Sequence, residues 1–379
     1  MILVILKDKR TIVRAFAKQY QNGRKKEKSV LLTKISKSTG YHRKYLGKIL
    51  HNPPQKRRIK RHRISPYLFV FKPLKRLWAV GNYACGTRLA PILPVYITAL
   101  KRHDRWIITK EEKQFLYRIS PSTIDRMLRQ ERKKLGGKSR SRTKPGTLLK
   151  HQIPIRTFAD WTEKKPGFLE IDTVHHCTEE NKGDYVHTLD TTDVCTGWNE
   201  CRAFMGMSES HTVEGLETIR KRLPFSLLGI DFDTGSEFVN WHLIRYSKRN
   251  QITYTRAREE KKNDQNYIEQ QNFSVVRRFV GYQRLDTYKQ LRVLNHLYDL
   301  LSDYQNFFQP VMRLKEKVRN GTRVTRRYDT PKTAYQRVLA YPGSDPEVKK
   351  TLRKRFLKLN PRKLLLDITR LGRKLTKKE

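Results

Sequence analysis

The chain has 379 residues, with 82 Lys and Arg against 36 Asp and Glu for a formal net charge of +46. Such a length calls for two to four domains, and such a charge for a polyanionic partner, nucleic acid before a membrane surface. A disulfide framework, a zinc finger and a membrane anchor are disfavoured: Cys85, Cys177, Cys195 and Cys201 have no C-x-x-C spacing, and the opening MILVILK holds only six apolar residues before its first lysine.

In chain order, Ser29 to Leu50 (SVLLTKISKSTGYHRKYLGKIL) reads as two short helices around Gly40, with Ile35 before the turn and Leu46 and Ile49 after it. That is a helix-turn-helix layout, with Arg43, Lys44 and Lys48 facing DNA; a plain helical hairpin with a solvated basic face is the alternative. Residues 1–50 form this first module, and the Pro-bounded basic run 51–66 is a linker. Helical patterning resumes over 67–135, where EEKQFLYRI precedes ISPSTIDRMLRQERKKL. Ser120 is a cap, Pro121 opens the first turn, and Ile124 and Leu128 lie one turn apart, so this segment is a second helical, DNA-binding candidate with Arg126 on its polar side. Residues 136–150, beginning GGKSRSRTKPGT, form a flexible cationic linker.

After it the period becomes that of strands. GFLEIDTVHH, DYVHTLDTTDV and GWNECRAFM read as three strands, followed by a helix over Ser210 to Arg222, a strand FSLLGIDFD, a helix after TGSEF, a strand ITYTRAR and a helix from about Asp264 to Tyr282. That is a mixed α/β core over 151–286. Residues 287–379 are basic and mostly helical in pattern, with LRVLNHLYDLLSDYQNFF carrying an apolar face and a capped start at Thr330 and Pro331. From Gly167 to Gln283 the chain holds 14 Lys and Arg against 18 Asp and Glu, whereas residues 1–65 hold 20 against 2. A slightly acidic island between basic flanks suits a catalytic body carried by phosphate-holding arms and is rare in a merely basic, ribosome-associated protein.

DFDTGSEF, at 231 to 238, puts two acids on one face of a strand, Asp231 and Asp233, with Ile230 and Phe232 on the other. Upstream, Asp172 sits on the first strand. Downstream, NDQNYIEQQ places Glu269 on a helix, with thirty-five residues between Asp233 and Glu269 and sixty between Asp172 and Asp233. This constellation resembles the catalytic core of DDE transposases and retroviral-type integrases, over roughly Phe168 to Gln283, most closely the transposases of bacterial insertion sequences. The resemblance maps the three acids to Asp172, Asp233 and Glu269, and Asn263 and Asn266 lie where the group often has Asn. Thr234 stands where Asn is commoner in the turn, and the N-terminal His and Cys pairs of the retroviral enzymes are absent, as is a clear C-terminal barrel signal.

The resemblance implies a multidomain fold: all-α helix-turn-helix modules, a ribonuclease-H-like integrase core and a basic, mostly helical C-terminal region. It implies a DNA transposase whose carboxylates hold two Mg²⁺ or Mn²⁺ ions, acting as at least a dimer on double-stranded DNA, both element ends and target, in the bacterial cytoplasm. Arg256, Arg258, Lys261 and Lys262, before the catalytic helix, are expected phosphate contacts, and Arg277 and Arg278 either contact DNA or form a solvated face. Asp190, Asp193 and Glu237 rank as secondary acids and Asp231 as the rival of Asp233. The alternatives are a nuclease of the same fold that does not join strands, or a domesticated DNA-binding protein.

Overall fold

The computed structural model describes residues 6–53, 67–135, 165–177, 183–206, 208–232, 241–256, 272–320 and 323–376. The chain divides into two compact units, Met1–Ser65 and Pro66–Glu379.

The described residues of the first unit form three helices, α1 (Leu6–Asn22), α2 (Lys25–Thr39) and α3 (Arg43–His51). Val13 and Ala17 of α1, Ile35 of α2, and Leu46 and Leu50 of α3 form its core. Helix α2 stops at Gly40, which takes a left-handed φ of 71° and donates its N–H to the Ser36 carbonyl at 2.8 Å. That conformation is open to glycine at little cost and turns the chain sharply into α3.

The larger unit is built on a five-stranded sheet: β1 (Phe168–His175), β2 (Val186–Asp193), β3 (Asn199–Met205), β4 (Gly229–Phe232) and β5 (Thr253–Arg256), in the order β3-β2-β1-β4-β5. β2 lies antiparallel to β1 and β3, while β4 is parallel to β1 and β5 parallel to β4. The parallel pairs need crossovers, supplied by α9 (Glu209–Arg220) and α10 (Trp241–Arg249), which pack with Leu169, Ile171, Leu189, Ile230 and Phe232 on one face.

The other face is covered by helical residues 272–280, of which Asn272–Arg277 is wound as a π-helix, and by the long helix Tyr288–Phe308. This long helix also seals the outer edge of β3. Asn306 accepts the backbone N–H of Asn199 and donates to its carbonyl, both at 2.8 Å. Asn295 does the same for Ala203, at 2.9 and 3.0 Å. Two amide side chains thus occupy positions where another strand would pair.

The sequence separates 67–135 from the core, but in the structure these residues share its hydrophobic cluster. α4 (Phe71–Val80) and α5 (Gly86–Asp104) bury Leu74, Trp78, Leu93 and Tyr96 together with Leu301, Phe308, Leu364 and Ile368. Tyr96 donates its hydroxyl to the Phe308 carbonyl at 2.7 Å, and Tyr304 donates to the Val80 carbonyl at the same distance. The physical reason is long-range burial, which local pattern does not encode. α6 (Lys110–Arg118) and α7 (Pro121–Met127) complete this layer; Ser120 caps α7 as its sequence predicts, and the helix breaks at Leu128 before α8 (Arg129–Lys134).

The C-terminal region contains a hairpin, β6 (Leu314–Asn320) and β7 (Arg323–Tyr328), where a mostly helical pattern was expected. The dense basic charge of this stretch obscures the alternation of its two strands in the sequence. The next helix, Ala334–Ala340, is capped by Thr333, whose side chain accepts from Gln336, rather than starting at Thr330 and Pro331. Helices Pro346–Lys358 and Pro361–Thr376 end the described chain.

Candidate active site

Asp172 lies in the middle of β1, the central strand, and is half-buried. Its carboxylate accepts from the backbone N–H of Thr173 at 2.7 Å. In the ladder it stands opposite Asp190 of β2, and Glu170 of the same face stands beside Asp231 of β4. Strand alternation therefore gathers Glu170, Asp172, Asp190 and Asp231 on one face, while Leu169, Ile171, Ile230 and Phe232 go to the apolar layer on the other.

The four acids differ in access. Glu170, Asp190 and Asp231 are each 0% exposed. Asp231 accepts the Thr255 hydroxyl at 2.6 Å, which ties β4 to β5. Asp190 accepts from Asn199 Nδ2 at 2.6 Å and from the Cys201 thiol at 3.4 Å, and its Oδ2 has no hydrogen-bond partner among the described residues. Burial pushes the Asp190 carboxyl up to about 7 despite these bonds. Asp193, the other secondary acid on β2, is a turn anchor: it accepts from the N–H of Gly167 at 2.7 Å and from the N–H and hydroxyl of Thr196, both at 2.6 Å.

The 272–280 helix is fastened across this face. Arg277 donates to the carbonyl of His175, the last residue of β1, at 2.8 Å, and its guanidinium stands 4.9 Å from the Tyr282 ring. Arg278 donates to the Asn82 carbonyl at 2.6 Å. Both arginines are thus bonded to the protein's own backbone, while Arg278 also stays exposed. Beneath the helix, His176 bonds the Thr188 hydroxyl at 2.8 Å, and Thr188 bonds Tyr298 at 2.7 Å. Burial first, and then the charge of Arg277, holds His176 well below the ordinary histidine range, so this network is neutral.

Of the expected site residues, Asp172 is described and Asp233 and Glu269 lie outside the described residues, as do Glu237, Asn263, Asn266, Arg258, Lys261 and Lys262. In sequence, both acids lie next to described elements: β4, described to Phe232, ends one residue before Asp233, and the helix, described from Asn272, begins three residues after Glu269. Arg256 ends β5, within the strand read from ITYTRAR, and is buried and Cα-paired with Phe232, whereas the sequence made it a phosphate contact. Lys44 and Lys48 are exposed one turn apart on α3, whereas Arg43 is spent on α2, donating to Ser29 Oγ at 2.9 Å and to Thr33 Oγ1. Arg126 is exposed on α7 and donates to Thr123 Oγ1 at 3.2 Å. Among the described residues no three His, Cys, Asp or Glu side chains form a metal-holding group, and no helix is long and apolar enough to cross a membrane. Half-buried Asp172 is itself a hard oxygen donor, the chemistry that fits Mg²⁺ or Mn²⁺.

No family profile matches the chain. The uncharacterized protein y4rM of Sinorhizobium fredii (strain NBRC 101917 / NGR234) is 35% identical over 324 residues, which is 84% of this chain and 92% of the relative. This chain belongs to the y4rM family. The match is far longer than the α/β core, so kinship within the y4rM family includes the flanking helical regions. Among solved structures, similarity is found to the catalytic core domain of BIV integrase (TM-score 0.31, 15% identity, 46% of this chain and 93% of that one). It extends to the HTLV-2 integrase catalytic core in complex with magnesium, in a dimeric form (TM-score 0.28, 14% identity, 38% and 90%). A simian T-cell lymphotropic virus intasome in complex with PP2A regulatory subunit B56 gamma is similar at TM-score 0.33 and 14% identity, over 49% of this chain and 58% of that one.

Proposed function

We propose that this protein is a DNA transposase of an insertion sequence, a polynucleotidyl transferase that cuts an element end and joins the freed 3′-OH to target DNA. The observation that carries the reading is the register of β1 and β4. Ile171 and Phe232 are Cα partners on parallel neighbouring strands, so Asp172 and Asp233 are each the next residue along the chain from one shared rung. Glu269 is three residues upstream of a helix whose Arg277 is bonded to the end of β1. These two relations, the shared rung of β1 and β4 and the bond from the described helix to the end of β1, support the reading.

In this reading Asp172, Asp233 and Glu269 hold the divalent ions. Such ions, when bound, lower the pKa of an attacking hydroxyl and offset charge on the scissile phosphate and leaving oxygen. The protein supplies position: the central strand and the Thr173 N–H hold Asp172, and the Arg277 bond to His175 fastens the described helix that follows Glu269 in sequence. Asp190 is the Cα partner of Asp172 on β2. No side chain has to act as a nucleophile, since water or the 3′-OH attacks, and catalysis is mostly orientation and electrostatics. Asp231 is excluded from this set by its burial and its bond to Thr255. Lys44 and Lys48 on α3, Arg126 on α7, and Arg258, Lys261 and Lys262 contact DNA, and bringing two ends together requires at least a dimer.

The test is strand transfer of a pre-nicked end duplex, taken from the DNA flanking the gene, into plasmid with Mg²⁺. Native protein should join. Asp172→Asn and Asp233→Asn should each lose activity by a factor on the order of 10² to 10³ or more, with Asp231→Asn retaining joining. Cutting without joining would instead favour a nuclease, and binding of a verified end with neither step would leave a DNA-binding protein.

A further inference from the structure

A groove of about 640 Å³ lies between α4, the end of the 272–280 helix and the Pro361–Thr376 helix. Its floor is apolar, including Val80, Phe279 and Leu366, and Leu366 is 58% exposed. Arg76, Arg278, Arg362 and Arg373 stand around it, and among the described residues no Asp or Glu lines it. We propose that this groove holds unpaired nucleotides of a DNA end, with bases on the apolar floor and phosphates on the arginine rim. The proposal rests on the strand-transfer reading above.

Charge, shape and place each point the same way. Arg362 is paired with Asp104 at 3.1 Å and Arg76 lies over the Trp106 ring at 5.2 Å, but Arg278 and Arg373 meet no carboxylate among the described residues. The rim therefore keeps a positive surplus that an anion would answer. A nucleotide is flat and apolar on its faces and anionic along its backbone, which is the ligand that arginines over an apolar bed match best. Tyr83, 41% exposed, adds a ring at the edge. It sits in a turn where Asn82 and Tyr83 both have left-handed φ, 50° and 62°, a conformation that non-glycine residues adopt only when held. Arg278 holds it through the Asn82 carbonyl, and Trp78 holds it through an edge contact with Tyr83 at 4.9 Å.

The volume falls in the range of small-molecule pockets, roughly 300–1,000 Å³, and a duplex does not fit. The wall at Arg278 to Gly281 is the continuation of the chain from Glu269, nine residues before Arg278. The groove wall is thus close in sequence to the acid assigned to the reaction site.

The experiment uses the full chain without divalent metal, so that nothing is cut, and reads fluorescence anisotropy. A labelled blunt duplex is compared with the same duplex carrying a short single-stranded thymidine overhang. Native protein should prefer the overhang by about tenfold, the scale of one stacked base. Leu366→Glu and Arg373→Glu, both at exposed positions, should each abolish the preference, while Leu357→Glu, outside the groove, should keep it. No preference in native protein, or a preference that survives both groove substitutions, overturns the proposal. So does an acidic amphipathic peptide whose binding is lost in Leu366→Glu while overhang binding is not. Strand transfer without overhang preference removes the groove proposal alone; overhang preference lost in the groove variants, without strand transfer, keeps the groove and removes the functional reading.

Discussion

Replacing Asn306 with leucine should destabilise the larger unit by about 3 kcal/mol, and the figure follows from its two bonds to β3. Asn306 is 1% exposed and Asn199 is 3% exposed, so neither backbone group of Asn199 has water to turn to once the amide is gone. An orphaned buried N–H or C=O costs about 1–3 kcal/mol, giving roughly 2–6 kcal/mol for the pair. The low half of that range applies because leucine returns some apolar burial and a carbonyl tolerates neglect better than an N–H. Asn295 makes the matching pair of bonds to Ala203 but is only half-buried, so Asn295→Leu should cost about 1 kcal/mol, with water replacing the amide. The two sites share no partner, and the double variant should be additive within about 0.5 kcal/mol. Urea unfolding followed by tryptophan fluorescence reads this unit alone, since all five tryptophans lie beyond residue 66. A midpoint for Asn306→Leu equal to that of native protein, or a larger loss for Asn295→Leu, would refute the idea that these amides stand in for a neighbouring strand.

His187 is stacked against Tyr185 at 4.5 Å and Phe204 at 5.9 Å, and burial, then the charge of His175, pushes its pKa down to about 3. Because the folded value lies below the free one near 6.5, the stability it contributes is present above about pH 6.5 and is lost as pH falls toward 3. His187→Phe should flatten the melting temperature over that window, where up to about 5 kcal/mol is at stake; an unchanged slope would count against a neutral buried imidazole. A Cβ on Gly372 would stand 2.4 Å from the Phe279 carbonyl oxygen, so Gly372→Ala should cost about 1–3 kcal/mol in thermal unfolding. Gly215→Ala, in α9 with nothing nearer than 3.7 Å, should instead be neutral or stabilising by up to about 1 kcal/mol. Loss of both Lys44 and Lys48 to alanine should lower the slope of log affinity against log salt for duplex DNA by about 1 to 2; an unchanged slope would remove α3 from the interface.

The strands of the core were readable because each presents alternating residues to two unlike layers: Leu169 and Ile171 to an apolar one, Glu170 and Asp172 to a polar one. Helix starts were readable where a cap is local, as at Ser120. What escaped local reading was set by partners far along the chain. Nothing near Tyr96 announces Phe308, nothing near Asn199 announces Asn306, and the burial of Arg256 depends on which strand lies beside it. The β6–β7 hairpin escaped for another reason, since basic residues crowd both strands and hide their alternation. In the site, the acids and their spacing were visible, whereas the placement of Asp190 opposite Asp172 required knowing the register of two strands.

The bond between Tyr96 and Phe308 joins residues 212 positions apart, and that separation is also a delay. A ribosome adding about 5–20 residues per second leaves roughly 10–40 s between the appearance of α5 and of the helix that covers it. Throughout that interval Leu93, Tyr96, Ile97 and Leu100, all buried in the finished protein, have α4, α6 and α7 beside them but lack the C-terminal half of their cluster. The nascent chain therefore passes through a period in which the apolar surface of its larger unit is only partly covered, and the rate of synthesis sets how long that period lasts.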